Sequence, residues 1–357
     1  MPVTVRSFAK INLGLCIGPL RPDGFHKLRT VYQTIALHDV IRVQVIRGTG
    51  IEIHCEDPRV PKDQSNTCYR IIERAMDALK ARGRVVIEIE KRLPVQGGLG
   101  GASGNAVASL LALELALKME LPASEKLRIA AEVGSDLPLF LIGGTVLGVG
   151  RGEEVYPLVD LPSVPCVVAL PEISVSTPQA FKDWDVSLCG AGALARERPA
   201  VNDGRRQNPA ELRSAWTGKS ARRHTGIAEL TGTDPSDRMN LFSRRLSEWL
   251  SSLSGVPVSR GRGRAETPLL DLVRTGIEND FEKVVFPKYP ELREIKGVLK
   301  DAGAVYASLS GSGSAIYGLF RSGNQAKRAA AILTKKGTPA VATTTLTRPQ
   351  YWKKMSD

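Results

Sequence analysis

Five glycines fall within the twelve residues Pro94-Val95-Gln96-Gly97-Gly98-Leu99-Gly100-Gly101-Ala102-Ser103-Gly104-Asn105, between a β-patterned run and a helical one. Glycine admits positive φ and close backbone approach, and the first turn of a helix leaves N–H groups unpaired at its partly positive end. Together these make a phosphate cradle, and a triphosphate is its natural guest. The stretch is not a Walker A loop, because no Gly-Lys-Ser/Thr follows. Nor is it the dinucleotide fingerprint, because Ser103 stands where the third glycine belongs after Gly98 and Gly100. A merely flexible connection is the bland reading, disfavoured because so many glycines cost backbone entropy unless something needs the backbone. A second glycine turn, Ser310-Gly311-Ser312-Gly313-Ser314, offers clustered amides too, but alone it reads equally as a ligand-free hairpin.

Lys10 and Asp136 are the candidate catalytic charges. Phosphoryl transfer needs a carboxylate near an attacking hydroxyl, and a cation to keep that carboxylate ionised and offset phosphate charge. Each residue has an ordinary alternative: a strand lysine is usually solvated, and Asp136, two residues before Pro138, could cap a helix. Phe25 and His26 follow the turn Arg21-Pro22-Asp23-Gly24, whose tip could close over a ligand; spacing alone equally allows a packed aromatic and a surface histidine.

The elements that must position these residues are mixed α and β. Alternating apolar residues over 3–15 read as a half-buried strand with Lys10 and Asn12 on its polar face. Residues 30–37 and 40–46 are β-rich, with His38-Asp39 between them, and suggest a meander or hairpin. Helical periodicity covers 66–81, closed by Arg82-Gly83, then a strand over 85–89. Beyond the glycine loop the patterns predict helices over 106–119 and from Ser124, a plausible N-cap, to 133. A glycine turn over 143–152 and a strand over 164–170 follow. Later come helices over 269–286, 291–302 and 324–335, and strands near 303–312, 315–320 and 338–345.

The chain has 357 residues, 42% hydrophobic and 24% charged, with mean hydropathy −0.11, which excludes a mostly membrane-embedded or wholly disordered chain. Two domains, or one domain with an insertion, are expected at this length. The longest apolar stretches are far shorter than the ~20 residues of a membrane span, and the first fifteen residues are strand-like rather than a secretory signal, so a cytoplasmic chain without membrane contact is expected. Five scattered cysteines without a CxxC pair, and no histidines at ligand spacing, suggest reduced thiols and no protein-held metal. The net charge is +12, but residues 191–265 hold fourteen Lys and Arg against seven Asp and Glu, so over half the excess lies in one Arg-, Gly-, Ser- and Pro-rich segment. Within it, Met239, Leu241, Phe242, Leu246, Trp249 and Leu250 are spaced for an amphipathic helix.

Taken in order, Ala9-Lys-Ile-Asn-Leu13, Arg21-Pro-Asp-Gly-Phe-His26, the loop 94–105, Gly134-Ser-Asp-Leu-Pro-Leu-Phe140, Gly150-Arg-Gly-Glu153, Asn279-Asp-Phe-Glu282 and Ser310-Gly-Ser-Gly-Ser314 resemble the GHMP kinase superfamily. The first two pieces point to its branch acting on a diphosphocytidyl-linked methylerythritol. The resemblance spans nearly the whole chain apart from the insertion. It implies an α+β, two-domain fold: a ribosomal protein S5 domain 2-like N-terminal domain over 1–158, and an α/β C-terminal domain over 159–357 with a basic insertion at about 190–266. It implies ATP with Mg²⁺, and phosphorylation of the substrate 2-hydroxyl in non-mevalonate isoprenoid biosynthesis. Asp136 would be base or transition-state organiser, with Lys10 beside it and Asn12 assisting. Phe25 and Phe181 would stack on the cytosine while His26 bonds its edge, as suits a flat base with a polar rim. Asn66 would lie near adenine, and Pro94, Gly97, Gly98, Leu99, Gly100, Gly101, Ala102, Ser103, Gly104 and Asn105 around the nucleotide.

The chain departs from the family pattern at Gln96, usually glycine, at Gly104, commonly serine, and at Phe25, frequently tyrosine. Ser103 could substitute for the hydroxyl lost at 104. The insertion is read as a solvated lobe rather than a partner surface or a cap. The expected partner is a small molecule, not nucleic acid, and the expected state is monomer or homodimer. The alternatives are another kinase of the superfamily, for homoserine, mevalonate or a sugar, and a basic nucleic-acid-binding protein using the Arg-rich segment.

Overall fold

A computed structural model describes residues 1–95, 97–196, 235–253 and 268–356. Gln96 and most of the basic segment lie outside the described residues. The first sheet is organised by two long antiparallel strands, β1 (Val3–Leu20) and β2 (His26–Ile46), joined by the turn at Arg21–Gly24. β2 shares one edge with β1 along its length and divides the other edge. Its second half pairs with β4 (Arg84–Glu90), which pairs parallel to β3 (Ile51–Cys55) through the crossover helix α1 (Thr67–Leu79). Its first half pairs with β5 (Thr145–Val149), itself paired with β6 (Glu154–Pro157).

The hairpin expected around His38-Asp39 is therefore one continuous strand. Register slips between the pairs Phe8–His38 and Ala9–Ile35, and Asp39 is wholly buried. A polar pair signals a turn only when water is its partner. Here Asp39 accepts the backbone N–H groups of Arg92 and Leu93 at 2.7 Å each.

Helices α2 (Gly101–Leu117), α3 (Ala123–Val133) and the single turn α4 (Leu137–Phe140) cover this sheet. The helix expected from 106 begins five residues earlier, so the second half of the glycine-rich stretch is its first turn. Pro122, not Ser124, occupies the cap of α3. α1 closes at Lys80 in the left-handed conformation (φ 51°), before Gly83.

The second sheet is antiparallel in the order β10 (Ala340–Thr344), β7 (Pro165–Ala169), β9 (Ile316–Leu319), β8 (Tyr306–Leu309). Around it pack α5 (Thr177–Arg196), α6 (Pro235–Leu253), α7 (Pro268–Arg274), α8 (Glu282–Lys288), α9 (Pro290–Asp301) and α10 (Gly323–Lys335). The single helix expected over 269–286 is broken between α7 and α8. Gly276 there has φ +84°, and Asn279-Asp280 bond to β1 instead of to a helix. The final helix α11 (Arg348–Ser356), unread in the sequence, returns to the first core, where Tyr351 donates to the Phe140 carbonyl at 2.7 Å.

The amphipathic pattern in the insertion is borne out as α6, which buries Met239, Phe242, Leu246 and Trp249. For this described part, the expected solvated lobe is corrected to a core helix, because its apolar stripe covers β1 and α7. No helix among the described residues is long and apolar enough to cross a membrane. Cys16, Cys55, Cys68 and Cys166 are buried and free.

Candidate functional site

Lys10 is buried (3% exposed) on β1, so the ordinary solvated-lysine reading does not hold. Its Nζ donates to Asn12 Oδ1 at 2.8 Å and to the Gly98 carbonyl at 2.9 Å, and lies 3.4 Å from Asp136 Oδ2. Burying an ammonium is tolerable only with such partners. Asp136 sits just before α4, yet its side chain makes no capping bond. Its carboxylate, partly open to the cleft, takes the Tyr32 hydroxyl at 3.0 Å instead. Burial, reinforced by the Asp136 charge, pushes the Tyr32 phenol well above its usual range, so Tyr32 stays a neutral donor at any working pH. Asn12 completes the group by donating to Thr30 Oγ1 at 2.8 Å, which fixes its Oδ1 toward Lys10.

The two glycine turns meet backbone to backbone at this point. Ser310 Oγ donates to the Gly98 carbonyl at 3.0 Å, and the Ala315 N–H to that of Gly97 at 3.1 Å. The second turn is held from behind. Asn279 Nδ2 donates to the carbonyls of Leu309 (2.9 Å) and Gly311 (2.7 Å), while Glu282 accepts from Ser308 Oγ and the Leu309 N–H.

Two cavities open on either side of the first turn. One, about 660 Å³, runs from Lys10, Asn12 and Asp136 to Phe25, His26 and Phe181. At its far end His26 and Phe181 stack with ring centroids 5.1 Å apart, and His26 Nε2 meets Asp185 Oδ1 at 2.8 Å. A carboxylate only accepts, so Nε2 carries the proton there, and in neutral His26 Nδ1 is left as an acceptor. Phe25 is half exposed at the rim, beneath the Arg151 guanidinium at 5.0 Å.

The other cavity, about 340 Å³, is lined by Asn66, Pro94, Gly97, Gly98, Leu99, Gly100, Gly101, Ala102, Ser103 and Asn105. Asn66 also caps α1 by accepting the Cys68 N–H at 2.8 Å. Gly98 and Gly100 have φ of +77° and +71°, and no side chain caps α2. The amides of its first turn therefore remain available to an anion. Gly98, Gly100 and Ser103 border both cavities. Gly104 lines neither. A Cβ there would lie 2.9 Å from Ser7 Oγ and 3.0 Å from the Phe8 carbonyl, so the position packs α2 onto β1.

Sequence reading missed Tyr32, Asp185 and Arg151 at this site. The signal for Tyr32 was its period-two relation to Thr30 and Thr34 on one strand face. That for Asp185 was its spacing of four from Phe181, which places both on one face of a helix. Among the described residues, no group of three His, Cys, Asp or Glu is arranged to hold a metal ion.

Residues 66–144 match the GHMP kinases N terminal domain and residues 266–338 the GHMP kinases C terminal model. The chain is 36% identical over 329 residues to a 4-diphosphocytidyl-2-C-methyl-D-erythritol kinase of Solibacter usitatus, covering 92% of this chain and 84% of the relative. It is 33% identical to one from Acaryochloris marina, covering 91% and 89%. A crystal structure of 4-(cytidine 5'-diphospho)-2C-methyl-D-erythritol kinase superposes with a TM-score of 0.65 at 26% identity, covering 96% of this chain and 99% of that one.

Proposed function

The chain belongs to the GHMP kinases, in the family of the 4-diphosphocytidyl-2-C-methyl-D-erythritol kinases, and we propose that it works where its two cavities meet. Its reaction is transfer of the ATP γ-phosphoryl group to the 2-hydroxyl of 4-diphosphocytidyl-2-C-methyl-D-erythritol, in the non-mevalonate route to isoprenoid precursors. The observation that carries the site assignment is that the Lys10–Asp136 pair stands at the glycines common to both cavities, where donor and acceptor must meet.

The smaller cavity suits ATP: the positive-φ glycines and the uncapped helix supply backbone donors for phosphate, and a Cβ at Gly98 or Gly100 would strike the Ser310 carbonyl or the Phe140 ring, so only glycine lets the turn pack this closely. A Mg²⁺ ion carried on the triphosphate needs only one or two protein oxygens, of which the Ser103 hydroxyl, bordering both cavities, can offer one. It would supply charge neutralisation of the phosphates.

In the larger cavity His26 and the aromatics Phe25 and Phe181 receive the cytosine, leaving the alcohol end at Asp136. Asp136 takes the proton of the 2-hydroxyl as the oxygen bonds to the γ-phosphorus and the bond to the β,γ-bridging oxygen breaks, releasing ADP. Lys10 keeps Asp136 ionised and offsets charge on the transferring group. Tyr32 holds one carboxylate oxygen, so the carboxylate does not swing. Most of the acceleration comes from positioning and electrostatics. In this reading the described parts of residues 1–158 and of 159–346 are the two walls of the cleft, and α11 crosses back to the first.

The direct test is ATP-dependent phosphorylation of 4-diphosphocytidyl-methylerythritol by the purified chain, with competition by cytidine diphosphate. Folded protein that transfers no phosphate to this alcohol, or that cytidine diphosphate does not inhibit, would overturn the proposal. Asp185→Ala removes the partner that sets the His26 tautomer; KM for the cytidine substrate is expected to rise about three- to tenfold. KM for ATP should stay constant, since Asp185 lies outside the nucleotide cavity.

A further inference from the structure

Asp39 lines neither cavity and is absent from the chemistry above, yet it gathers four donors from two separate segments. Its Oδ1 accepts the backbone N–H groups of Arg92 and Leu93, each at 2.7 Å. Its Oδ2 accepts Lys91 Nζ at 2.7 Å and Asn105 Nδ2 at 2.9 Å. Residues 91–93 lead into the glycine turn, and Asn105 follows the first turn of α2. One carboxylate thus clamps the two ends of the phosphate cradle to the middle of β2.

The clamp also decides which way the Asn105 amide faces. A carboxylate can only accept, so Asn105 must present its NH2 group to Asp39. Its Oδ1 is then left over, and it is buried with no hydrogen-bond partner. Buried acceptors are rarely left unpaired without a reason, and Asn105 lines the nucleotide cavity. We propose that Asp39 is a positioning residue of the nucleotide site, which fixes the cradle and orients Asn105 so that its Oδ1 accepts a donor from the bound nucleotide. Phosphate oxygens only accept, so that donor is a sugar hydroxyl, the base amino group or water carried on the nucleotide's metal. This inference rests on the reading that the smaller cavity takes ATP.

Three forms of the full chain test it: wild type, Asp39→Asn, and the double variant Asp39→Asn with Asn105→Asp. Two quantities are measured, the Kd of a non-hydrolysable ATP analogue by calorimetry and the KM of each substrate. In Asp39→Asn an NH2 group confronts Lys91 and the Asn105 amide, and the analogue Kd and the KM for ATP are expected to rise about tenfold. KM for the cytidine substrate is expected to stay within about twofold. In the double variant the donor and acceptor between positions 39 and 105 exchange places while the residue-39 amide still faces Lys91, so the ATP affinity should return in part. An unchanged analogue Kd in Asp39→Asn, an equal rise in both KM values, or a double variant no better than the single one would each overturn the proposal. Should Asp39→Asn not fold, Asn105→Ser removes the amide while leaving Asp39 three donors. Weaker analogue binding is then expected, and wild-type binding would refute the role. Wild-type protein that fails to bind the analogue at all would overturn the nucleotide reading itself, and this inference with it.

Discussion

Asp136→Asn is expected to lower kcat by about 10²–10⁴-fold, the range associated with loss of a general base. The substitution keeps the shape of the side chain and its reach to Tyr32 and Lys10. It removes the negative charge that pairs with Lys10 at 3.4 Å and the basic oxygen that takes the hydroxyl proton. KM for ATP should change little, because Asp136 is not part of the nucleotide cavity. Stability should hardly change, because the carboxylate is partly open to solvent and makes no helix-capping bond. A folded variant retaining kcat within tenfold of wild type would exclude Asp136 from the chemical step.

Gly98→Ala is expected to produce the largest structural effect of any single methyl group at this site. Gly98 has φ +77°, a region that costs an L-residue roughly 1–2 kcal/mol. Its new Cβ would also stand 2.1 Å from the Ser310 carbonyl oxygen and 3.1 Å from the Gly313 backbone, so the two glycine turns must separate. Separation takes with it the Gly98 carbonyl that receives Lys10 and Ser310, and Gly98 borders both cavities. Activity should fall with either substrate limiting, and unfolding free energy should drop by at least about 2 kcal/mol. Gly50→Ala is the control: φ there is +96°, but nothing lies within 4 Å of the added Cβ. It should lose roughly 1 kcal/mol and no activity. Equal losses in the two variants would show that backbone conformation, not the meeting of the turns, accounts for the effect.

Much of the chemistry was legible locally. The glycine-rich stretch, the strand bearing Lys10 and Asn12, and the acidic residue in Gly134-Ser-Asp-Leu-Pro138 each announced themselves through residue type and period, because strand alternation and helix starts are short-range properties. The amphipathic stripe of α6 was equally clear, since a period of 3.6 reports burial whatever lies across from it.

What the stripe packs against was not legible, and the same limit explains the other misreadings. His38-Asp39 reads as a turn until Asp39 finds donors at Lys91, Arg92, Leu93 and Asn105, all more than fifty residues away. Asn279-Asp280 lies inside a helical pattern until bonds to β1 and to the second glycine turn outcompete the helix. Gly104 looks like a missing phosphate ligand until its Cα is seen against Ser7 and Phe8. The sequence by itself determined which residues could carry charge, bind phosphate or line a core. Tertiary structure alone decided that Lys10, Tyr32 and Asp136 meet, and that two distant glycine turns become one floor. Polar side chains choose partners by proximity in space, and that proximity is set by packing the whole chain rather than by any local period.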